Sequence, residues 1–266
     1  MRVFSYGGGV QSTAALVLAV QREIDFPTFL FSNTGDDSEN PETLSYVREI
    51  ATPYAAEHGI TVDEVHRIKR DGSAPTLLED LSRPESRSVN IPMYLSPSGA
   101  PGTRNCTGEW KIKVIARWLR KHGATPDNPA ITGLGISIDE AHRARSNSGF
   151  AFQTLTYPLI DLRLTRRECT NIIHRAGLPI PEKSSCTYCP FHTRAYWRRQ
   201  FRDKPEIFAK SVAVERMLCA RSVALGRGEA YLTSALIPLD QVVVDTGQLE
   251  LDLESLGMCE SGYCHT

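Results

Sequence analysis

Two short stretches of this 266-residue chain have residue types and spacing suited to chemistry. Near the N-terminus, Ser5-Tyr6-Gly7-Gly8-Gly9-Val10-Gln11-Ser12 runs from an apolar segment into a helix-like one. Glycines there let the backbone turn tightly and approach an anion closely. A helix N-terminus behind them presents N–H groups and the positive end of the helix dipole, and Ser12 adds a hydroxyl donor. Far downstream, Cys186-Thr187-Tyr188-Cys189 puts two thiols at a spacing that chelates one metal, as zinc or as part of an iron–sulfur cluster. Cys106 is a candidate third ligand and Cys259 or Cys264 a fourth; the competing reading of Cys186 and Cys189 is two ordinary loop thiols. Cys264 beside His265 could also be an activated thiolate. Cys169 and Cys219 read as small core residues.

The elements that would position these residues follow from pattern. Arg2–Tyr6, Phe26–Ser32 and Ile60–Arg67 read as strands. Ser12–Arg22 and Pro41–His58 read as the helices between them, with Pro41 in a first turn. Beyond a Pro-, Ser- and Gly-rich loop over 83–105, Glu109–His122 is a helix, Ala130–Ser137 a strand, Asp139–Arg145 helical, and Thr154–Leu159 a strand ending at Pro158. Thr165–Ala176 is a helix capped by Thr165 and stopped by Gly177. Residues 178–193 form a loop bearing the Cys pair, and two helices follow at 194–203 and 205–225. Strand–helix alternation at this spacing implies an α/β fold with a doubly wound, mostly parallel sheet, Rossmann-like, with a helical C-terminal appendage. The expected division is a nucleotide-binding domain over 1–177, with residues 178–266 (loop, helices and acidic tail) packed on it.

Composition is that of a globular chain, 41% hydrophobic and 23% charged. No signal-like segment and no apolar run of membrane-spanning length is present. We therefore expect a soluble, cytoplasmic protein with no membrane partner. Seven cysteines, an odd number, suit free thiols or a metal site in a reducing compartment. The net charge of −1 gives no global attraction to nucleic acid, but charge is uneven. Residues 163–204, with Arg163, Arg166 and Arg167 at their start, hold ten Lys or Arg against three acids; residues 25–64 hold nine acids against Arg48 alone. A basic rim around a polyanion and a set of solvated faces both fit this pattern. In the basic segment, Trp197 and Phe201 form an apolar stripe expected in the core, and Arg194, Arg198 and Arg202 share one face.

Three phosphate-loop types compete for the glycines. The Walker pattern needs a Gly-Lys pair, which the chain lacks, and the dinucleotide pattern needs a third glycine where Ser12 stands. The third is SGGxDS. Gly7-Gly8-Gly9-Val10-Gln11-Ser12 resembles it, with Gly7 and Gln11 in place of its Ser and Asp. The chain thus resembles the PP-loop ATP pyrophosphatase superfamily, in particular its phosphoadenosine phosphosulfate (PAPS) reductase-like family, whose loop has a similar Gln variant. Further stretches agree in order across roughly residues 3–215. Asn33-Thr34-Gly35-Asp36 with Asn40-Pro41-Glu42-Thr43 and Tyr46-Val47 is similar to DTGxxxPET…FV. Gly133–Arg145 resembles GIRxxES..R, although Gly135 or Ile136 replaces the first arginine. Tyr157–Asp161 resembles PLidW, Ser185–Phe191 resembles CxxCPf, and Cys106-Thr107 with Trp110-Lys111 resembles CT..WK.

The resemblance implies that Ser5, Tyr6, Gly7, Gly8, Gly9, Val10, Gln11, Ser12, Asn33, Thr34, Gly35, Asp36 and Gly133 bind the cofactor, ATP or PAPS with Mg²⁺. Gln11, Ser12, Lys111, Arg143, Arg145 and, in a reductase, Cys264 would act in catalysis. Cys106, Cys186, Cys189 and Cys264 would hold a [4Fe–4S] cluster or zinc. The implied function is cleavage of ATP between the α and β phosphates to adenylate a substrate ahead of sulfur transfer. The alternatives are PAPS or APS reduction, which the missing Glu-Cys-Gly tail disfavours, and a non-catalytic nucleotide-binding accessory role, since some members accompany mobile-element or CRISPR-type defence systems. The implied partners are an adenine nucleotide and a nucleic acid or sulfur donor; a homodimer is a separate expectation, not one carried over from the family.

Overall fold

The structure is a computed structural model and describes residues 1–243. The chain begins with β1 (Arg2–Tyr6), α1 (Val10–Val20), β2 (Thr28–Ser32) and α2 (Pro41–Ser45). A π-helical turn over Tyr46–Ala51 leads into α3 (Thr52–Glu57), then β3 (Thr61–Val65), α4 (Leu77–Ser82) and β4 (Tyr94–Leu95). Next come α5 (Asn105–Thr107), a second π turn over Gly108–Ile112, α6 (Lys113–Lys121), β5 (Ala130–Leu134) and a 3-10 segment, Ile138–Arg143. The described chain finishes with β6 (Gln153–Thr156), α7 (Pro158–Asp161), α8 (Arg166–Arg175), α9 (Arg194–Asp203), α10 (Pro205–Ala224), β7 (Ala230–Tyr231) and α11 (Leu239–Val242).

The described residues form two compact units. The first contains Met1–Ala74 and Thr107–Ser185. Its five-stranded sheet has the order β3-β2-β1-β5-β6, every pair parallel. Alternation along the buried strands assigns the two faces. Phe4, Tyr6, Phe29 and Phe31 pack with α1, α2, α3 and α8, through residues such as Leu16, Leu44, Ala55 and Ile173. Val3, Leu30, Ala130 and Leu134 pack on the opposite face with Ile115 and Leu119 of α6. Helices on both faces of a parallel sheet make the fold α/β and doubly wound, as the strand–helix alternation implies.

The helix over 41–57 is less regular than its sequence suggests. Pro53 has no N–H to give to the preceding turn. The ladder slips by one residue, and the Thr52 amide and hydroxyl both reach the Val47 carbonyl, the hydroxyl at 2.8 Å. The expected strand over Thr154–Leu159 is shorter than its pattern. Pairing stops at Thr156, and Pro158 opens the helical turn α7, where a proline in the first turn loses no hydrogen bond. At α8 the expectation holds: Thr165 and Glu168 form a reciprocal capping box, and Gly177 follows the helix with φ +74°.

The second unit contains Pro75–Cys106 and residues 186–243. Its core includes Leu77, Leu81, Met93, Tyr188, Trp197 and Leu218. β4 and β7 pair antiparallel. Glu215 of α10 is a buried carboxylate that accepts the Leu232 and Leu239 amides, each at 2.7 Å. Burial outweighs those bonds and raises its pKa. The expected Trp197–Phe201 core stripe is half right, since Trp197 is fully buried but Phe201 is 50% exposed at its edge contact with Phe208. Cys169 is buried in α8 of the first unit as expected, whereas Cys219 is only half-buried.

Candidate functional site

In an open parallel sheet, the crevice for a ligand lies beyond the carboxyl ends of the strands, where strand order reverses. Here that point is between β1 and β5: α1 and α6, which follow β1 and precede β5, lie on opposite faces. The Gly7–Gly9 loop closes β1 at this crevice and starts α1. Gly8 has φ +73°, and a Cβ there would stand 2.8 Å from Thr43 Cγ2 and 3.1 Å from Val47 Cγ2. Only glycine meets both demands, so the first turns of the 41–57 helix press directly on the loop. No side chain among the described residues caps α1; Ser12 donates its hydroxyl to the Gly9 carbonyl at 3.0 Å.

Gln11 is the hub of the crevice. It is 2% exposed, and its amide nitrogen donates to Glu140 Oε2 at 3.1 Å and Ser137 Oγ at 3.4 Å. Its amide oxygen accepts from Arg166 Nη1 at 3.2 Å. Glu140 also takes Arg143 Nη1 at 2.6 Å in a buried ion pair. The loops after β1 and β5 and the start of α8 thus meet at one side chain. Burial lowers the pKa of Arg166, partly offset by Glu140 and Asp139. Gly135 gives the two loops room, since a Cβ there would lie 3.2 Å from the Ser12 nitrogen. Of the two candidate arginines, Arg143 joins this cluster. Arg145 is exposed, and its backbone amide and carbonyl both bond the Tyr157 hydroxyl at 2.7 Å.

The loop after β2 forms the other wall. Asn33 is buried; its side-chain oxygen accepts from the Gly35 amide at 2.7 Å, and its nitrogen donates to Asp36 and Glu64, each at 2.7 Å. Arg48 bridges the same two carboxylates. The Arg48 hydrogen bond holds Asp36 below its ordinary pKa. Burial raises Glu64, but Arg48 and Asn33 outweigh it and its pKa is lowered too. Thr34 donates its hydroxyl to Glu39 at 2.9 Å, and Lys111 Nζ stands 3.8 Å from the same oxygen. Lys111 is brought there by its neighbour Trp110, whose carbonyl accepts from Ser32 Oγ at 2.6 Å.

Ser5 and Tyr6 are buried at the end of β1, where the Tyr6 hydroxyl contacts Thr13 Oγ1 at 3.1 Å and burial raises its pKa. Val10 begins α1 in the core. Gly133 lies within β5, where a Cβ would meet Phe4 at 2.6 Å and Phe26 at 2.8 Å; its side-chain position is filled by aromatic rings. Sequence reading did not single out Glu140, Ser137, Glu39 or Arg166 as site residues. Ser137 and Glu140 lie inside the Gly133–Arg145 stretch but were not separated from it, Glu39 carries no local signature, and Arg166 stood out only as one charge among ten.

The thiols lie in the second unit. The Cys189 amide donates to the Cys186 carbonyl at 3.1 Å, which makes Cys186–Cys189 a tight turn. His192, also missed from sequence, stacks on Tyr196 with ring centroids 3.5 Å apart and has Nε2 2.9 Å from the Cys186 carbonyl. The Cys106 amide donates to Asn90. No group of three His, Cys, Asp or Glu side chains among the described residues is placed to hold a metal ion. They therefore fall short of the four ligands of a closed zinc or [4Fe–4S] site. Cys259 and Cys264 lie outside the described residues. Cys169 has its pKa pushed up to about 12 by burial, which leaves it a poor nucleophile at neutral pH.

No helix among the described residues is long and apolar enough to cross a membrane. No protein-family model matches the chain, and no curated protein matches it. Among solved structures, the chain is similar to the U34-tRNA thiolase NcsA from Methanococcus maripaludis with its [4Fe-4S] cluster. The identity is 14% and the TM-score 0.46, over 94% of this chain and 82% of that one.

Proposed function

We propose that the chain binds an adenine nucleotide in the β1–β5 crevice and cleaves ATP between its α and β phosphates, adenylating an acceptor ahead of sulfur transfer. The observation that carries this reading is the Gly7–Gly9 loop at the start of α1, at the reversal of strand order, with Gly8 at φ +73°. Backbone N–H groups and the α1 dipole favour the leaving pyrophosphate there. Ser12 can turn its hydroxyl from Gly9 to a phosphate oxygen. Arg143, Arg166 and Lys111 each stand against a carboxylate or amide of the crevice walls and can exchange it for phosphate. In the step itself, an acceptor oxygen bonds to the α-phosphorus as the α–β bridging oxygen leaves with pyrophosphate. The protein's part is to hold the phosphates in line and offset the developing charge. Asn33–Asp36 and Thr34 would lie along the nucleoside. Mg²⁺, when bound with the nucleotide, adds further charge neutralisation.

The test is incubation of the purified full chain with Mg²⁺, a thiol reductant and labelled ATP or PAPS, together with bulk RNA and a small-molecule extract as sources of acceptor and sulfur donor. Release of pyrophosphate and AMP without sulfite supports the proposal. Sulfite from PAPS overturns it in favour of reduction, and binding with no turnover of either overturns it in favour of an accessory role.

A further inference from the structure

A groove rich in cationic side chains lies on the first unit, outside the crevice. The segment after β3 and the exposed side of α6 enclose a groove lined by Arg67, Lys69, Arg70, Lys113 and Arg117. Among its lining residues only Glu109 is acidic. Glu109 pairs with Lys113 one turn away and with Arg67 at 3.7 Å, so it offsets only part of that charge. The groove is built rather than incidental. The Arg67 guanidinium carbon stands over the buried Trp110 ring, 4.0 Å from its centroid, and Arg117 donates to the Ile68 carbonyl. Those contacts hold two guanidiniums in place, while Arg70 and Lys113 stay exposed. Because β3 is parallel to β2, the groove opens at the carboxyl edge of the sheet, the edge that carries the crevice. Trp110 joins them: its ring supports Arg67, its carbonyl holds Ser32, and the next residue is Lys111.

We propose that this groove docks the phosphodiester backbone of a nucleic-acid acceptor, whose reacting base or sugar is thereby presented to the adenylating crevice. Five cations, offset in part by Glu109 and by Asp71 close to Lys69, suit an extended polyanion better than a single small anion. Contacts of this kind fix register without reading sequence. The proposal deepens the function above by naming the acceptor class, and rests on it for the reaction.

Fluorescence anisotropy of a labelled single-stranded RNA of generic sequence tests it, on the full chain over a range of salt. Arg70→Glu with Lys113→Glu is compared with a control reversal of two exposed arginines elsewhere on the same unit, Arg22→Glu with Arg175→Glu. We expect wild type and control to bind alike. The groove variant should bind at least tenfold more weakly at low salt, with the slope of log affinity against log salt shallower by about 1.4. Equal binding by groove variant and control overturns the proposal. So does binding of heparin or an acidic peptide without binding of RNA. ATP binding measured by calorimetry on the same proteins separates the two readings: its loss in all of them, with groove-dependent RNA binding intact, sinks the nucleotide assignment and leaves the groove standing.

Discussion

At the scale of single residues, the crevice is held by a few buried polar groups that answer one another. Glu140 is the pivotal one, because it accepts from both Gln11 and Arg143. Glu140→Gln keeps the shape and removes the charge. We expect it to cost about 3 kcal/mol in urea unfolding, since it removes the carboxylate that neutralises a buried guanidinium. ATP should raise the melting temperature of this variant more than that of wild type, because its phosphates then meet Arg143 without a competing carboxylate. Equal thermal shifts would argue against phosphate at Arg143. Gln11 and Arg143 of this cluster were legible from sequence, but their meeting at Glu140 was not. Gln11 could be singled out because it follows three glycines, but its partners lie 126 to 155 residues away and share no local pattern with it. Lys111 was legible through the CT..WK resemblance, but its pairing with Glu39 was not.

At the scale of elements, the sequence was most informative where backbone chemistry dictates the outcome. Thr165, Glu168 and Gly177 delimit α8 by capping and by a left-handed stop, and both are readable as residue types. The strand–loop–helix at residues 2–20 is likewise written in its glycines. Tertiary context won elsewhere. Leu159 is fully buried, which mimics a continuing strand, yet it sits in a helical turn opened by Pro158. Phe201 has the spacing of a core residue but falls at the edge of its unit. Gly8 gives the element-scale prediction. Gly8→Ala places a Cβ against Thr43 and Val47 at a positive φ, and should lower stability by about 2 kcal/mol or more. Thermal unfolding should show that loss; adding Thr43→Ser, which removes the nearest methyl, should recover part of it. Recovery to the wild-type level would mean that the backbone angle contributes nothing.

For the molecule as a whole, pH acts on the Asp36–Arg48–Glu64 network. Both carboxylates have lowered pKa values in the folded state. Their contribution is therefore present above the ordinary carboxylate range and lost as pH falls through the depressed folded values. Arg48→Met should flatten the acid limb of a melting-temperature profile between about pH 5 and pH 2. An unchanged limb would mean that other carboxylates govern acid unfolding.

The strand order has a consequence for how the chain is made. β1 is synthesised first, yet it lies at the centre of the sheet, and one of its two neighbours is β5, which ends at Leu134. Residues 75–106, which intervene, belong to the other unit, whose remaining segment begins only at Cys186. Neither unit can be completed on a ribosome before part of the other has emerged, so the usual order of N-terminal domain first is closed to this chain. A nascent chain released at residue 126 would expose one whole edge of β1, a template for pairing with other chains. We expect such a fragment to aggregate on expression while the full chain stays dispersed, as a sedimentation assay would show.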